Sequence, residues 1–163
     1  MRRPLVLISA AWLIHATAWL LPTITGVYGA SLDSFPGWLA FVLAAASLRP
    51  GGDTVLDTWY QLVLAVVSVS GTVFFVVGSP WVVFRGRRYL QRVSAWAVAS
   101  TFIATSGWIA FLGSELPVSD LGIGYYFWWL SFLLLAIGLL DLARSEDRLE
   151  RPLDLPSHGF RAV

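Results

Sequence analysis

One histidine interrupts an apolar stretch of this chain and is the residue best placed to do chemistry. His15 lies within a run from Leu5 to Leu21 that is otherwise broken only by Ser9 and Thr17. An ionisable group inside an apolar segment of this length indicates a functional site, such as a proton carrier, a substrate contact or a cofactor ligand. The structural alternative is a neutral imidazole that hydrogen-bonds to a neighbouring helix or to a backbone carbonyl.

The neighbours of His15 place aromatic rings on its side of a helix. Trp12, His15 and Trp19 occupy positions i, i+3 and i+7, which share one helical face. The pair Ala11-x-x-x-His15 resembles the Ala-x-x-x-His motif of bacterial light-harvesting polypeptides, in which a neutral imidazole binds the magnesium of bacteriochlorophyll. Those polypeptides are short and cross the membrane once. We predict no cofactor. The alternative is a pigment or haem on His15, and for the pigment the resemblance implies bacteriochlorophyll.

Carboxylates offer two weaker candidates. Asp141 ends an apolar run and Arg144 follows one turn later, which is typical of an interfacial ion pair rather than a proton relay. Glu115 and Asp120 share a short polar segment. Two carboxylates can bind a cation or perform acid–base chemistry, but no third ligand or nucleophile accompanies them. We therefore expect solvated charges there, with no metal site.

The composition excludes several classes of chemistry. The chain has no Cys, and His15 and His158 are its only histidines, which excludes thiolate sites and sites with several His ligands. It contains no GxGxxG, P-loop, HExxH or GxSxG motif. The net charge of +1 gives no electrostatic basis for binding nucleic acid. We predict that the protein is not an enzyme.

The same composition indicates a membrane protein. Of the 163 residues, 57% are hydrophobic and 13% are charged, whereas about a quarter of the residues in a soluble domain are charged. A water-soluble fold of this size could not bury so much apolar surface. We predict an all-α membrane protein with a transmembrane domain over residues 1–143 and a cytoplasmic helix extension and tail over 144–163.

Apolar runs predict four transmembrane helices and one shorter helix. The predicted spans are approximately 5–21, 58–80, 89–112 and 123–143. Segment 35–48 has about 13 apolar residues, too few to cross ~30 Å of hydrocarbon, and is predicted to be interfacial or re-entrant. Turn-forming residues over 22–34 predict an external loop. Gly78-Ser79-Pro80 predicts either the end of the second span or a kink.

Arginine placement predicts the orientation. With both termini in the cytoplasm, Arg49 is the only one of eleven arginines outside, which satisfies the positive-inside rule. A fifth span would place Arg2 and Arg3 across the membrane from the basic turn at 85–88. The first run also resembles a signal peptide, but no good cleavage site follows it, so we expect a retained helix.

Small residues predict helix packing, and a basic turn predicts lipid contact. Small residues recur at multiples of four in the third span, and two hydroxyl residues do so in the second; such spacing lets helix backbones approach closely. The packing residues are Ala95, Ala99, Gly107, Ser68 and Thr72.

The basic turn consists of Arg85, Arg87 and Arg88. It is predicted to bind anionic lipid headgroups.

Two stretches carry a family resemblance. They are Pro36-Gly37-Trp38-x-Ala40-Phe41 and Leu121-Gly122-Ile123-Gly124-Tyr125-Tyr126-x-Trp128-x-x-Ser131. The pair resembles small bacterial four-span membrane proteins that carry no assigned activity. The resemblance implies a four-span topology in the bacterial inner membrane and no particular chemistry.

These observations predict a non-catalytic accessory subunit of a larger bacterial membrane complex, of the respiratory or photosynthetic type. Its partners would be membrane lipids and other membrane protein subunits. Two alternatives stay open. One is a small transporter or channel component with a polar path near His15 or Asp141. The other is a pigment- or haem-binding membrane protein with His15 as ligand.

Overall fold

The protein is mostly helical. The computed structural model describes residues 2–28, 31–46, 48, 59–115 and 121–150. Its elements, in chain order, are α1 (Arg2–Leu20), β1 (Pro22–Tyr28), β2 (Ser31–Pro36), α2 (Gly37–Ala46), α3 (Trp59–Val73), a π-helical segment (Phe74–Gly78), α4 (Ser79–Arg85), α5 (Arg88–Glu115) and α6 (Ile123–Glu150).

Three stretches of helix are long and apolar enough to cross a membrane. Within the described residues they are Arg3–Leu20, Leu62–Arg85 and Ile123–Ser145. This is the pattern of a helical membrane protein with several spans. The third predicted span, 89–112, falls inside α5, whose 28 residues give a helix about 42 Å long.

Helix α6 forms the centre of the bundle, with α1 packed on one side and α5 on another. Hydrocarbon does not drive apolar helices together, so helices in membranes associate where small residues let them approach. A Cβ atom on Gly138 of α6 would lie 2.7 Å from Cγ1 of Ile8, and one on Gly71 of α3 would lie 2.5 Å from Cγ2 of Thr101. The absence of these side chains permits the α1–α6 and α3–α5 contacts.

A β-hairpin follows α1, so the loop conformation predicted over 22–34 is wrong. The position of this segment outside the membrane stays a prediction. β1 and β2 pair antiparallel, with Thr25 opposite Ser34 and Val27 opposite Leu32. The sequence Thr-Ile-Thr-Gly-Val-Tyr is rich in the β-branched and aromatic residues that favour strands. Its glycine and the serines of β2 were interpreted as turn formers. The Gly122 amide donates to the carbonyl of Thr23 at 3.0 Å, which ties the hairpin to the start of α6.

Helix α2 is a short apolar helix inside the predicted segment 35–48. Its 10 residues give a length of about 15 Å, half the thickness of a hydrocarbon core. It contacts α1, α3 and the hairpin. Phe41 stacks on Trp19 of α1 with ring centroids 5.7 Å apart. α2 therefore packs at the hairpin end of α1 and is too short to span.

The second predicted span continues past residue 80 to Arg85 through a change of hydrogen-bond register. The amide of Ser79 donates to the carbonyl of Phe74, five residues back rather than four. In that register the carbonyl of Phe75 would accept from residue 80, which is a proline without an N–H. The hydroxyl of Ser79 donates to Phe75 instead, at 2.5 Å. The π-helical segment thereby joins α3 to α4 without ending the helix.

Candidate functional site

His15 lies in the interior of the bundle, where α1 meets the π-helical segment and α6. Its side chain is only 4% exposed. Phe75 stacks on the imidazole at a centroid distance of 3.9 Å and an interplanar angle of 11°. Phe132 presents its edge at 5.8 Å, and Trp19 lies one turn along α1 at 6.3 Å. We call His15 and these three aromatic residues, together with Ser131, the His15 site.

A serine of α6 fixes one edge of the imidazole. The Oγ of Ser131 lies 2.9 Å from Nδ1 of His15. That hydroxyl also donates to the backbone carbonyl of Trp128, at 2.6 Å. Because its one proton is used there, the hydroxyl accepts from His15, and the hydrogen-bond pattern assigns the imidazole proton to Nδ1.

The second ring nitrogen of His15 is a buried hydrogen-bond acceptor. With the proton on Nδ1, the neutral imidazole carries a lone pair on Nε2. Among the described residues, no donor reaches this atom. An unpaired buried polar atom costs about 1–3 kcal/mol, so Nε2 is a candidate for a hydrogen bond to a group from outside the chain.

Two tryptophans join neighbouring helices to the His15 site. The indole N–H of Trp12 donates to Oγ of Ser79 at 3.0 Å, and that hydroxyl donates to Phe75. The indole N–H of Trp128 donates to Oγ1 of Thr72 at 3.1 Å. Each bond crosses between helices, so α1 is tied to α4, and α6 to α3. These contacts hold the rings around His15 in place.

Polar groups between α5 and α6 are paired in the same way. The Tyr125 hydroxyl donates to the carbonyl of Thr105 at 2.6 Å. The indole N–H of Trp129 lies 3.0 Å from Oγ of Ser106 and 3.2 Å from the carbonyl of Phe102. These bonds satisfy groups that have no other partner in hydrocarbon, which indicates a fixed packing of the two helices.

An apolar groove of about 470 Å³ runs beside the His15 site, between α1 and the helix formed by the π-helical segment and α4. We call it the α1–α4 groove. Its lining residues are Trp12, His15, Ala16, Trp19, Leu20, Phe75, Val76 and Pro80. Nδ1 of His15 faces α6, and Nε2 lies on the other side of the ring. Within this lining, Nε2 of His15 is a buried side-chain nitrogen that no donor from the described residues reaches.

Asp141, the second residue predicted to line a polar path, lies away from the His15 site. Its carboxylate lies 3.5 Å from Nε of Arg3, near the start of α1, so the ion pair is formed with Arg3 rather than with Arg144, the partner that the sequence predicts. Arg3 and His15 are twelve residues apart on α1, about 18 Å along its axis. The structure therefore does not bring Asp141 and His15 together. The ion pair joins α1 to α6.

The predicted packing residues lie at helix contacts or beside them. Ala95 is fully buried and Ala99 packs against the same core. A Cβ on Gly107 would meet Leu64 of α3 at 3.4 Å, an ordinary contact distance. Thr72 is buried and Ser68 half-buried. In the basic turn, Arg85 and Arg87 are exposed and Arg88 is half-buried.

Sequence reasoning missed the partners of His15. Ser131 is 116 positions away along the chain, and nothing local links the two residues. Ser79 was interpreted only as part of a break. One signal was available for Ser131, because a polar residue inside a long apolar run requires a hydrogen-bond partner.

The remaining candidates fall outside the described side chains. This holds for the Glu115 side chain, for Asp120 and for the tail over 151–163. Within the part that is described, no group of three His, Asp or Glu residues is arranged to hold a metal ion. Comparison with family models, with curated proteins and with solved structures finds no significant match to this chain.

Proposed function

We propose that this protein is a non-catalytic accessory subunit of a larger bacterial membrane complex, of the respiratory or photosynthetic type. In this proposal four helices cross the cytoplasmic membrane, α5 among them, and both termini lie in the cytoplasm. α2 lies at the outer surface, and the turn from Arg85 to Arg88 contacts anionic headgroups. One observation carries the proposal, namely the outward surface of α5.

That surface is a continuous exposed stripe on α5. Five side chains at positions i, i+4, i+7, i+11 and i+14 share one helical face, and all are exposed. We call this stripe the α5 outer face; it consists of Tyr89, Val93, Trp96, Ser100 and Ile103. Trp96 is 66% exposed and Ile103 is 70% exposed. A lipid-facing helix needs no polar group on such a stripe, but this one carries the Trp96 indole N–H and the Ser100 hydroxyl well beyond the Tyr89 hydroxyl at its start.

The depth of these groups favours a protein partner over lipid. Trp96 lies eight residues after Arg88, about 12 Å along the helix axis, and Ser100 lies about 18 Å along it. With Arg88 at the headgroups, both polar groups are inside the hydrocarbon, where lipid offers no hydrogen-bond acceptor. Among the described residues neither the Trp96 indole nor the Ser100 hydroxyl has a partner. A transmembrane helix of another subunit would supply one.

The interior supports a static subunit over the transporter alternative. Ser131, Ser79 and Thr105 each hydrogen-bond to a backbone carbonyl of their own helix. A transport path needs polar groups that exchange partners and line a passage. Here Asp141 pairs with Arg3, which lies about 18 Å from His15 along α1.

Site-specific crosslinking tests the proposal. We would place a photoreactive amino acid at Trp96, irradiate native membranes, and identify the crosslinked products by mass spectrometry. Leu13 of α1, which is 70% exposed, is the matched control on another helix. We expect a discrete crosslink to a larger membrane protein from position 96 and only lipid adducts from position 13.

A second variant distinguishes a docking surface from chance proximity. Trp96→Leu keeps the apolar area and removes the indole N–H, and it should reduce co-purification with the crosslinked partner in mild detergent. A protein that purifies alone, and that yields only lipid adducts from both positions, would refute the accessory-subunit proposal.

A further inference from the structure

The α1–α4 groove combines an apolar wall with a buried side-chain nitrogen that has no partner among the described residues. Trp12 also contributes an indole N–H, but that group is already bonded to Ser79. Among the described side chains that line the groove, Nε2 of His15 is the one buried nitrogen or oxygen atom without a hydrogen-bond partner. We propose that this groove binds a lipid-soluble molecule that presents a hydroxyl group, a hydroquinone or a long-chain alcohol, whose O–H donates to Nε2. This inference is independent of the accessory-subunit proposal.

The polarity of the bond follows from the chain of donors behind His15. Trp128 offers a carbonyl, Ser131 donates to it, and Nδ1–H donates to Ser131. Both hydrogen bonds in this series point from His15 toward Trp128, so neither supplies a proton to Nε2. A ligand must therefore bring a donor, which selects a hydroxyl group over an ester, an ether or a quinone carbonyl, all of which only accept.

The size and lining of the groove define the rest of the ligand. Its volume of about 470 Å³ falls in the range of small-molecule sites, roughly 300–1,000 Å³. Trp12, Trp19 and Phe75 supply aromatic faces suited to a ring or an unsaturated chain. The π-helical segment places Val76 and Pro80 along the opposite wall, and π-helical turns are frequent at functional sites.

Trp19 is the side chain that controls access to Nε2. The imidazole is enclosed by three aromatic rings, of which Phe75 and Phe132 are buried and Trp19 is half-buried. Trp19 also lines the groove, and it lies near the end of α1, beside the hairpin. A rotation of the Trp19 ring would open the edge of the imidazole to a hydroxyl group. Leu20, the next residue of the lining, places the entrance at the hairpin end of α1.

Photolabelling with a matched pair of probes tests the inference. The probes are a diazirine-bearing hexadecanol and its methyl ether, which share the apolar chain and differ in the O–H donor. The purified protein in detergent is irradiated with each, and labelled peptides are identified by mass spectrometry. We expect labels on α1 and the π-helical segment, with about fivefold more from the alcohol, the ratio that one hydrogen bond supplies.

The variant His15→Phe keeps an aromatic ring beside Phe75 and removes the acceptor. It should retain labelling by the ether and lose the preference for the alcohol. Leu13→Phe, on the exposed face of α1, is the control and should retain the preference. If His15→Phe does not fold, competition on the unchanged protein decides: a short-chain benzohydroquinone should displace the alcohol probe, whereas the corresponding benzoquinone should not.

The competition experiment also distinguishes the two sources of the hydroxyl group. Displacement at lower concentration by the hydroquinone than by an isoprenoid alcohol of equal chain length assigns a hydroquinone, and the reverse order assigns an alcohol. Equal labelling by both probes would overturn the inference and leave an apolar groove without selectivity. A visible absorption band that disappears in His15→Phe would also overturn it, in favour of a tetrapyrrole ligand.

Discussion

At the scale of single residues, the molecule is organised by hydrogen bonds that hydrocarbon cannot replace. His15 was identifiable from the sequence because an ionisable residue in an apolar run stands out. Its environment was not identifiable, since Phe75, Phe132 and Ser131 come from two other helices. A buried histidine can bind a ligand only through a ring nitrogen that has no hydrogen-bond partner within the protein. Here Nδ1 is hydrogen-bonded to Ser131, and Nε2 has no partner among the described residues.

Removal of the Ser131 hydroxyl should therefore destabilise the bundle. In Ser131→Ala the Nδ1–H group of His15 loses its acceptor, while the change in volume is a single oxygen. We expect a loss of about 1–2 kcal/mol, at the upper end for hydrogen bonds between membrane helices. The measurement is reversible unfolding in mixed micelles. Ser9→Ala, on the exposed side of α1, is the control and should change stability by less than about 0.5 kcal/mol. Equal effects of the two variants would show that the Ser131 bond contributes nothing.

At the scale of elements, the helices were predictable and their details were not. The apolar runs indicated α1 and α6, because hydropathy over 18 or more residues is a strong signal. The hairpin was missed because its glycines and serines outweighed a short alternation of strand-forming residues. The π-helical segment could not be predicted, since its register depends on whether Ser79 satisfies the Phe75 carbonyl that Pro80 cannot.

The coupling between Ser79 and Pro80 is testable. Ser79→Ala removes the donor to the Phe75 carbonyl and the acceptor of the Trp12 indole. We expect a loss of about 1–3 kcal/mol. Pro80→Ala restores a backbone N–H that can reach Phe75, so the hydroxyl becomes partly redundant. The double variant should therefore be more stable than the sum of the single effects predicts, by about 0.5–1.5 kcal/mol. Additive effects would contradict this account of the register change.

At the scale of the whole molecule, the bundle is built around α6. This helix contacts both α1 and α5, and the ion pair between Arg3 and Asp141 joins its far end to the start of α1. The sequence predicted a membrane protein because composition and hydropathy are properties of the whole chain. It could not predict the order of packing, which depends on small residues such as Gly138 and Gly71 meeting a specific neighbour.

The number of crossings follows from whether α5 spans the membrane. Between Arg87, which precedes α5, and Ile123, which opens α6, the chain runs through α5, about 42 Å of helix. α5 carries basic residues at its start and several Ser and Thr residues along its length, so its hydropathy is lower than that of its neighbours. Arg88 and Arg92 nevertheless suit a cytoplasmic start under the positive-inside rule. If α5 crosses, residues 87 and 123 lie on opposite sides.

The absence of cysteine from the chain makes this prediction direct to test. Arg87→Cys and Ile123→Cys would each introduce the only thiol, at exposed positions before α5 and at the start of α6. In intact spheroplasts, we expect a membrane-impermeant maleimide to label the cysteine at 123, and the cysteine at 87 only after permeabilisation. Ser34→Cys, on the exposed side of the hairpin, should react like position 123, because both lie outside in a four-span protein. Labelling of 87 and 123 from the same side would show that α5 does not cross. The polar groups of its outer face would then lie in water rather than in lipid, and they would no longer require a partner subunit.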